Sequence, residues 1–559
     1  MRVIEQIRVQ LRQALTDAIT SAVATGELTG PAPTAIVLEV PKDKAHGDFA
    51  TNLAMVLAKP ERKAPRAVAD AIIKHLKTEG TWIESAEIAG PGFINIRLKF
   101  GWIHQVLPAI QDEGARFGGS DHGAGKRILL EYVSANPTGP MVLVQARSGA
   151  YGSTLGRVLN TTGYECKTEF YCNDAGNQVR LLAKSVDLRA QELRGATIEI
   201  PEGCYPGEYV IDAARDLLTK QPDFLDKPEE ERYSFLERWA TEYFRSGQEE
   251  VLRNYGVVFD RWFSERSLRD AGKPAELVQR LLASGQAYEQ EGAVWMRTTD
   301  YGDDKDRVLV KSGGEMTYFA VDACYHMDKY DRGFDILIDV LGQDHHGYLA
   351  RMKAMVECLG HSKESLEILF TQIVRLFKDG EEFRMSKRKG NFVLMEDLLD
   401  QVSVDAARYF FLMRGLDAHM DFDLDLANLK SSDNPVFYVQ YAHARICSIL
   451  RQAEEAGRAV PKAGVADLSL LKDEAEIDLM RKLAEFPEEL IGAADAREAH
   501  RLTRYVNELA TVFHSFYTRC RVVTDDVPLT QSRLLLCDAA RVVLHNALTL
   551  MGVSAPERM

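Results

Sequence analysis

Ile128-Leu129-Leu130-Glu131-Tyr132-Val133-Ser134-Ala135-Asn136-Pro137-Thr138-Gly139-Pro140-Met141 is the stretch that decides the fold of this 559-residue chain. An apolar run ends at Glu131-Tyr132-Val133, and Pro and Gly punctuate the turn that follows. Behind it, over 141–159, Leu143, Ala150, Leu155 and Leu159 recur near helical spacing, with Arg147 and Arg157 on a wetter face. A strand, a tight turn and a helix form the opening unit of a nucleotide-binding α/β domain. Such a turn lies at the strand's carboxyl end, where unpaired helix N–H groups and the helix dipole favour an anion. The same stretch also suits an ordinary βα unit of a parallel sheet, so its chemistry needs a partner elsewhere in the chain.

That partner is Arg384-Met385-Ser386-Lys387-Arg388-Lys389-Gly390-Asn391, with four cations among eight residues. Cations, a Gly and a small hydroxyl suit a loop that clamps a polyphosphate, because charge developing on a transferring phosphoryl group is stabilised by positioned cations. A solvated basic loop has the same composition. By contrast, Gly123-Ala124-Gly125-Lys126-Arg127 is no phosphate loop. Ser120 stands where the Walker pattern needs Gly, Arg127 follows the Lys, and a strand comes next rather than a helix.

Outward from the central unit the character of the chain changes twice. Residues 1–100 form a small α+β unit. Val3, Ile7, Leu11, Leu15 and Ile19 predict an amphipathic opening helix, 36–40 and 93–98 predict strands, and Asp48 is expected to cap a helix start after His46-Gly47. A second strand, 167–171, ends at Asn173-Asp174-Ala175-Gly176. Residues from about 190 to 300 then interrupt the α/β alternation with acidic helical segments such as 229–255. Apolar runs at 336–340 and 368–370, with a helix between them over 348–359, restore the parallel sheet within a domain spanning 115–430. From 433 to 559 the pattern is wholly helical, and Leu502, Tyr505, Val506, Leu509, Phe513 and Phe516 make one apolar stripe.

Composition bounds the answer without choosing it. The apolar and charged fractions, 46% and 27%, are ordinary for a globular chain with several domains. No run of eighteen apolar residues predicts a membrane span, and the first residues lack a signal-peptide core. Eight cysteines without a CxxC pair suit buried thiols in a reducing cytoplasm. A net charge of −15 argues weakly against a non-specific nucleic-acid coat protein and not against an enzyme with local basic patches. His345 and His346 are adjacent and lack further ligands at suitable spacing, so no metal site is expected.

The segment from Ser134 to Met141, followed by Gln145-Ala146-Arg147, resembles the one that carries the HIGH signature of class I arginyl-tRNA synthetases. Where that family has His-x-Gly-His, this chain has Val142-Leu143-Val144-Gln145. Met385-Ser386-Lys387 is similar to the KMSKS signature, with Arg384 in place of its first lysine. The order also fits: a degenerate HIGH segment, an insertion, then KMSKS. The resemblance runs through the whole chain in three parts, 1–100, 115–430 and 433–559. It implies an α/β fold of the class I Rossmann-like kind, with a helical insertion, an N-terminal α+β domain touching tRNA and a C-terminal all-α anticodon-binding bundle.

The resemblance assigns roles residue by residue. Lys387, Ser386, Arg384 and Gln145 are the catalytic candidates. Ala135, Pro137, Thr138, Gly139, Pro140, Met385 and Lys387 line the ATP site. Glu131, Ser134, Asn136, Tyr318, Asp322 and His345 hold arginine; a buried carboxylate such as Asp322 facing a planar guanidinium gives paired charge-assisted bonds that lysine and neutral isosteres cannot match. Tyr438, Tyr441 and Arg445 contact tRNA, where aromatics beside an arginine can stack unpaired bases. The implied reaction joins arginine to its tRNA through an arginyl-adenylate, with ATP and Mg2+ as substrate, tRNA bound before the adenylate forms, and no metal cage. A cytoplasmic monomer away from membranes is expected. The alternative is an RNA-binding paralogue that lost activation with the HIGH histidines.

Overall fold

The structure, a computed structural model, describes residues 3–41, 43–383 and 393–559; the side chains of residues 44 and 344–346 fall outside that description. The N-terminal unit opens with α1 (Val3–Ala24), whose buried face is Ile7, Leu11, Leu15 and Ile19 at helical spacing. Next come β1 (Phe49–Thr51), α2 (Leu53–Glu61), α3 (Pro65–His75), β2 (Ile83–Ala89) and β3 (Phe93–Leu98), and the strands pair antiparallel in the order β1-β3-β2. Two local expectations fail here. Residues 36–40 contribute only a single bridge, Glu39 to Ala50. Asp48 caps no helix: it precedes β1, accepts the Leu98 N–H at 2.8 Å and faces Arg481 of the C-terminal bundle at 3.2 Å. A strand rather than a helix follows Asp48, so its carboxylate ties a strand end to the bundle instead of capping.

After α4 (Val106–Glu113) the central body begins with β4 (Arg127–Glu131), α5 (Leu143–Thr161) and β5 (Glu165–Cys172). The next helices are α6 (Asn177–Leu193), α7 (Glu208–Lys220) and α8 (Glu229–Asn254), which share a core of Leu182, Val186, Val210, Leu217, Leu236 and Phe244. Then come β6 (Arg261–Ser264), α9 (Glu265–Asp270), α10 (Lys273–Ala283) and an antiparallel sheet of β7 (Ala287–Gln290), β8 (Ala293–Met296) and β9 (Arg307–Val310). The segment from 190 to 300 therefore holds more than helices. Its β6 returns to pair parallel with β5, as an edge strand too short to carry a period of its own. The body closes with α11 (Tyr318–Asp331), β10 (Ile336–Gly342), α12 (Leu349–Cys358) and β11 (Leu366–Thr371). Among the described residues, the parallel sheet has the order β11-β10-β4-β5-β6, so β4 lies at its centre.

Helix α5 can lie close on this sheet because Gly152 faces Tyr132: a Cβ there would stand 2.3 Å from the ring of that fully buried tyrosine. The contact fixes how deeply the helix sits, and so where its first turn meets the end of β4. Beyond β12 (Val374–Lys378), β13 (Glu381–Glu382), α13 (Met395–Leu399), α14 (Val404–Phe411), β14 (Met420–Asp423) and α15 (Leu424–Asn428), the chain becomes a bundle: α16 (Pro435–Glu455), α17 (Glu474–Ala484), α18 (Phe486–Ala496), α19 (Arg501–Arg519) and α20 (Val527–Met551). The stripe Leu502, Tyr505, Val506, Leu509, Phe513 and Phe516 is the buried face of α19. Helix α20 is long and apolar enough to cross a membrane by length and composition, and it is mostly buried within the bundle.

Bundle and body are joined by buried polar contacts rather than by a linker. Arg408, on α14, has no exposed surface and spends its donors on the Met551 carbonyl, the Tyr255 carbonyl and the Ser153 hydroxyl at 2.9, 3.1 and 2.8 Å. Arg157 reaches the Leu550 and Gly256 carbonyls alongside. The last helix, the end of α8 and α5 thus meet at two guanidinium groups, whose forked donors satisfy carbonyls that helix ends leave unpaired.

Candidate functional site

The end of β4 leaves regular geometry abruptly. Val133 and Ser134 have φ of +71° and +38°, and a β-branched residue in the left-handed region costs roughly 1–3 kcal/mol unless its surroundings impose it. The surroundings are explicit. Val133 N–H donates to Ser148 Oγ at 3.2 Å, Ser134 Oγ–H donates to Glu131 Oε1 at 2.8 Å, and the same hydroxyl accepts the Tyr171 N–H at 3.1 Å. Beyond it, Gln248 of α8, itself buried, donates to the carbonyls of Asn136 and Gly139 at 3.0 and 2.9 Å. One amide thus holds the turn in shape and ties it to the inserted helices.

Within that turn Ala135, Pro137 and Thr138 are buried, Gly139 and Pro140 half-buried, and Asn136 exposed. A Cβ on Gly139 would lie 3.2 Å from the Tyr209 ring, so a larger residue crowds that contact. Gln145 Oε1 accepts the Val142 N–H at 2.7 Å and closes the first turn of α5, which leaves the two N–H donors of the same amide to act elsewhere. The side chain that replaces the last HIGH histidine therefore caps the helix whose positive end faces the turn.

Beside the turn runs a buried row of charges. Lys329 Nζ, on α11, donates to Glu131 Oε2 at 2.6 Å and to Asp339 Oδ1 at 2.8 Å. Asp339 Oδ2 accepts from His326 Nε2 at 2.9 Å, and His326 Nδ1 lies 2.9 Å from the Asp322 carbonyl and 3.2 Å from its Oδ1. The row therefore leads from Ser134 through Glu131, Lys329, Asp339 and His326 to Asp322. Asp322 lies on α11, Asp339 on β10, and Glu131 and Ser134 at the end of β4, and only the fold brings them together.

Burial sets the protonation of this row against its partners. It pushes the Glu131 carboxyl up, against the pull of Lys329. It works to neutralise Lys329, whose two carboxylates outweigh it and hold the ammonium charged. It also works to raise Asp339, which Lys329 and His326 hold far below the usual carboxylate range. Burial and Lys329 both act to lower His326, yet Asp322 and Asp339 prevail and push it up to about 10. Asp322 is the end of the row that meets solvent, its side chain 40% exposed. Next to it, burial pushes the Tyr171 hydroxyl well up, and the charges of Glu265 and Asp322 add to the shift.

Tyr318, at the start of α11, is 67% exposed, and its hydroxyl stands 4.0 Å from the place a Cβ on Gly176 would take. His345 lies on the short 3-10 turn Gln343–Tyr348 directly after β10; its side chain is outside the described part. Arg384, Met385, Ser386 and Lys387 also lie outside the described residues. The chain that follows them does not. Leu143 N–H donates to the Val393 carbonyl at 3.0 Å, Met395 N–H to the Met141 carbonyl at 2.9 Å, and Val142 bridges Leu394.

In the bundle, Tyr438, Tyr441 and Arg445 of α16 share a cavity of about 290 Å3 with Phe437, Ser432 and His514. The Arg445 guanidinium lies 4.7 Å from the Tyr441 ring and 5.0 Å from the Tyr517 ring, and it donates to the Tyr441 hydroxyl at 2.6 Å. Burial, with Arg445 nearby, pushes His514 down to about 4, so its ring is neutral. A mouth of aromatic faces with one fixed cation and a neutral imidazole has the parts needed to hold an unpaired base.

Several residues that build these sites carry no motif. Asp322, His326 and Lys329 fall at i, i+4 and i+7, one face of one helix, and Asp339 is an acid inside the apolar run Ile336-Leu337-Ile338-Asp339-Val340-Leu341. Polar residues at those positions were a usable signal. Gln248 and His514 offered none, since each is one polar residue among others on an amphipathic helix.

Comparison with known proteins gives three consecutive matches. Residues 5–98 match the family described as arginyl tRNA synthetase N terminal domain, 107–411 the tRNA synthetases class I (R), catalytic domain, and 439–559 the DALR anticodon binding domain. An arginine–tRNA ligase from Symbiobacterium thermophilum is 75% identical over 559 residues, the full length of both chains. One from Desulforamulus reducens is 48% identical over 525 residues, 94% of each. Among solved structures, a putative arginyl-tRNA synthetase from Campylobacter jejuni superposes with a TM-score of 0.76 at 35% identity, covering 83% of this chain and 100% of that one. The fold is also that of the Thermus thermophilus arginyl-tRNA synthetase, with a TM-score of 0.74 over 98% and 100% of the two chains at 23% identity.

Proposed function

We infer how the site divides its work from the premise that this chain belongs to the arginyl-tRNA synthetase family. It is an arginine–tRNA ligase that uses ATP and carries a tRNA-binding anticodon domain. In the division we propose, Asp322 receives the guanidinium of arginine, with Tyr318 over it. Ser134 and Asn136, at the kinked end of β4, face the α-amino and α-carboxylate groups. Glu131 acts one layer behind, bonding Ser134 on one side and Lys329 on the other.

The ATP phosphates take the turn from Ala135 to Pro140 and the positive end of α5, and the basic segment holding Arg384, Met385, Ser386 and Lys387 covers them. The arginine carboxylate then attacks the α-phosphorus, pyrophosphate leaves, and arginyl-adenylate forms. The terminal ribose hydroxyl of tRNA next takes the arginyl group and AMP departs. No side chain needs to act as a nucleophile; orientation and fixed cations supply the acceleration. Magnesium enters with the ATP phosphates as part of the substrate. Among the described residues no cluster of three His, Cys, Asp or Glu side chains is placed to cage an ion, so no step is assigned to one. Tyr438, Tyr441 and Arg445 take an unpaired base of the tRNA. We further propose a cytoplasmic monomer.

The observation that carries this reading is the row of charges that ends at Asp322 on one side and at Ser134 on the other. It joins an acid suited to a guanidinium with the turn suited to the reacting end of the same amino acid. ATP–pyrophosphate exchange with tRNA present tests it: arginine should drive exchange, while lysine and citrulline should not. Exchange driven equally by lysine would overturn the assignment of the acid.

A further inference from the structure

His326 is buried, with 2% of its side chain exposed, and each ring nitrogen faces only acceptors. Nε2 meets an Asp339 carboxylate oxygen at 2.9 Å; Nδ1 meets the carbonyl and a carboxylate oxygen of Asp322 at 2.9 and 3.2 Å. A neutral imidazole has one donor and one acceptor, so it would leave one of these contacts repulsive; the arrangement needs both nitrogens to donate. Asp339 is in turn the shared acceptor of two cations, His326 and Lys329, and Lys329 also grips Glu131. The Lys329 ammonium sits 4.3 Å from the centre of the Tyr325 ring, which closes the row on its remaining side.

This geometry does something the individual contacts do not. Asp322 has a part-exposed carboxylate at the solvent end of the row, and a bidentate grip on a guanidinium needs that carboxylate fixed. From these contacts we infer that His326 is a positioning residue for arginine selection. As an imidazolium braced by Asp339, itself held by Lys329, it fixes the Asp322 carboxylate toward the guanidinium. Through Lys329 and Glu131 the same brace reaches Ser134, so the two ends of the arginine site are aligned by one buried row. The inference rests on the reading of Asp322 as the guanidinium ligand, and the test separates the two.

The full-length enzyme is assayed with tRNA by initial rates over arginine and by competition with citrulline, the neutral isostere of arginine. Variants are His326→Gln, Asp339→Asn and Asp322→Asn. Loss of a charge-assisted brace is expected to raise the arginine KM about tenfold in His326→Gln, with kcat near the parent value. The citrulline inhibition constant should hardly move, so the preference for arginine falls by the same factor. General loosening of the site would weaken both ligands equally, and that result overturns the inference. If Asp322→Asn collapses the preference while His326→Gln and Asp339→Asn leave it intact, the brace is wrong and the ligand stands. If Asp322→Asn leaves the preference intact, the ligand is wrong as well. Should His326→Gln fail to fold, the isosteric Asp339→Asn, which removes the charge bracing His326, carries the same comparison.

Discussion

Leu143 donates its backbone N–H to the carbonyl of Val393 at 3.0 Å, which pins the first residue of α5 to the chain just beyond the basic segment. Because Met395 N–H answers at the Met141 carbonyl, 2.9 Å away, the start of α5 is joined through main-chain atoms to the chain at Val393–Met395. The contact is independent of the side chains at Val142, Leu143 and Val144.

Met395 is the first residue of α13, a position that accepts proline without harm to the helix, and Leu394 before it is already extended. Met395→Pro therefore deletes the hydrogen bond to Met141, while Met395→Ala deletes only the buried side chain. The proline variant is expected to lose turnover beyond the alanine variant by about 0.5–1.5 kcal/mol, one net hydrogen bond, with the arginine KM equal in the two. Steady-state kinetics of the pair check it, and equal kcat would show that the stitch is idle.

Lys387→Ala should lower kcat by about 2–4 kcal/mol in activation free energy, as for removal of one preorganised charge stabiliser. Arginine affinity should be untouched, because the guanidinium end of the site is held by a different element. Single-turnover adenylate formation measures the effect directly. An unchanged rate would take Lys387 out of the mechanism.

The pH dependence of stability has a defined sign. His326 is raised from 6.5 to about 10 in the folded chain, since Asp322 and Asp339 outweigh burial and Lys329. A raised pKa means the folded state holds the proton more tightly. The stabilisation is therefore complete below the unfolded value, declines above it and is gone beyond the folded value. The stability gap between the parent enzyme and His326→Gln should be widest near about pH 6 and shrink toward about pH 10. Denaturant midpoints across that range check this, and a gap that grows with pH would contradict it.

What the sequence disclosed follows from the kind of interaction involved. Periodicity exposed the elements with one apolar face, so α1, α5, α19 and the strands β4 and β10 were legible from residues such as Leu11, Leu155 and Phe513. It misjudged Asp48, whose partners Leu98 and Arg481 lie 50 and 433 residues away; no local pattern encodes contacts at that separation. Edge strand β6 was hidden for a related reason, since four residues half-covered by β5 have no period to detect. At the site, Asp322 and Ser134 could be named from motif positions, whereas the row linking them could not. It is built from Glu131, Lys329, Asp339 and His326, on two strands and one helix, and only the parallel pairing of Asp339 with Glu131 brings it into register.

The arginine KM of Asp322→Asn, measured by tRNA-dependent ATP–pyrophosphate exchange, bears most directly on the account. Losing the charge opposite a guanidinium is expected to raise it about 10- to 100-fold while the ATP KM holds. An arginine KM equal to that of the parent enzyme would contradict the account.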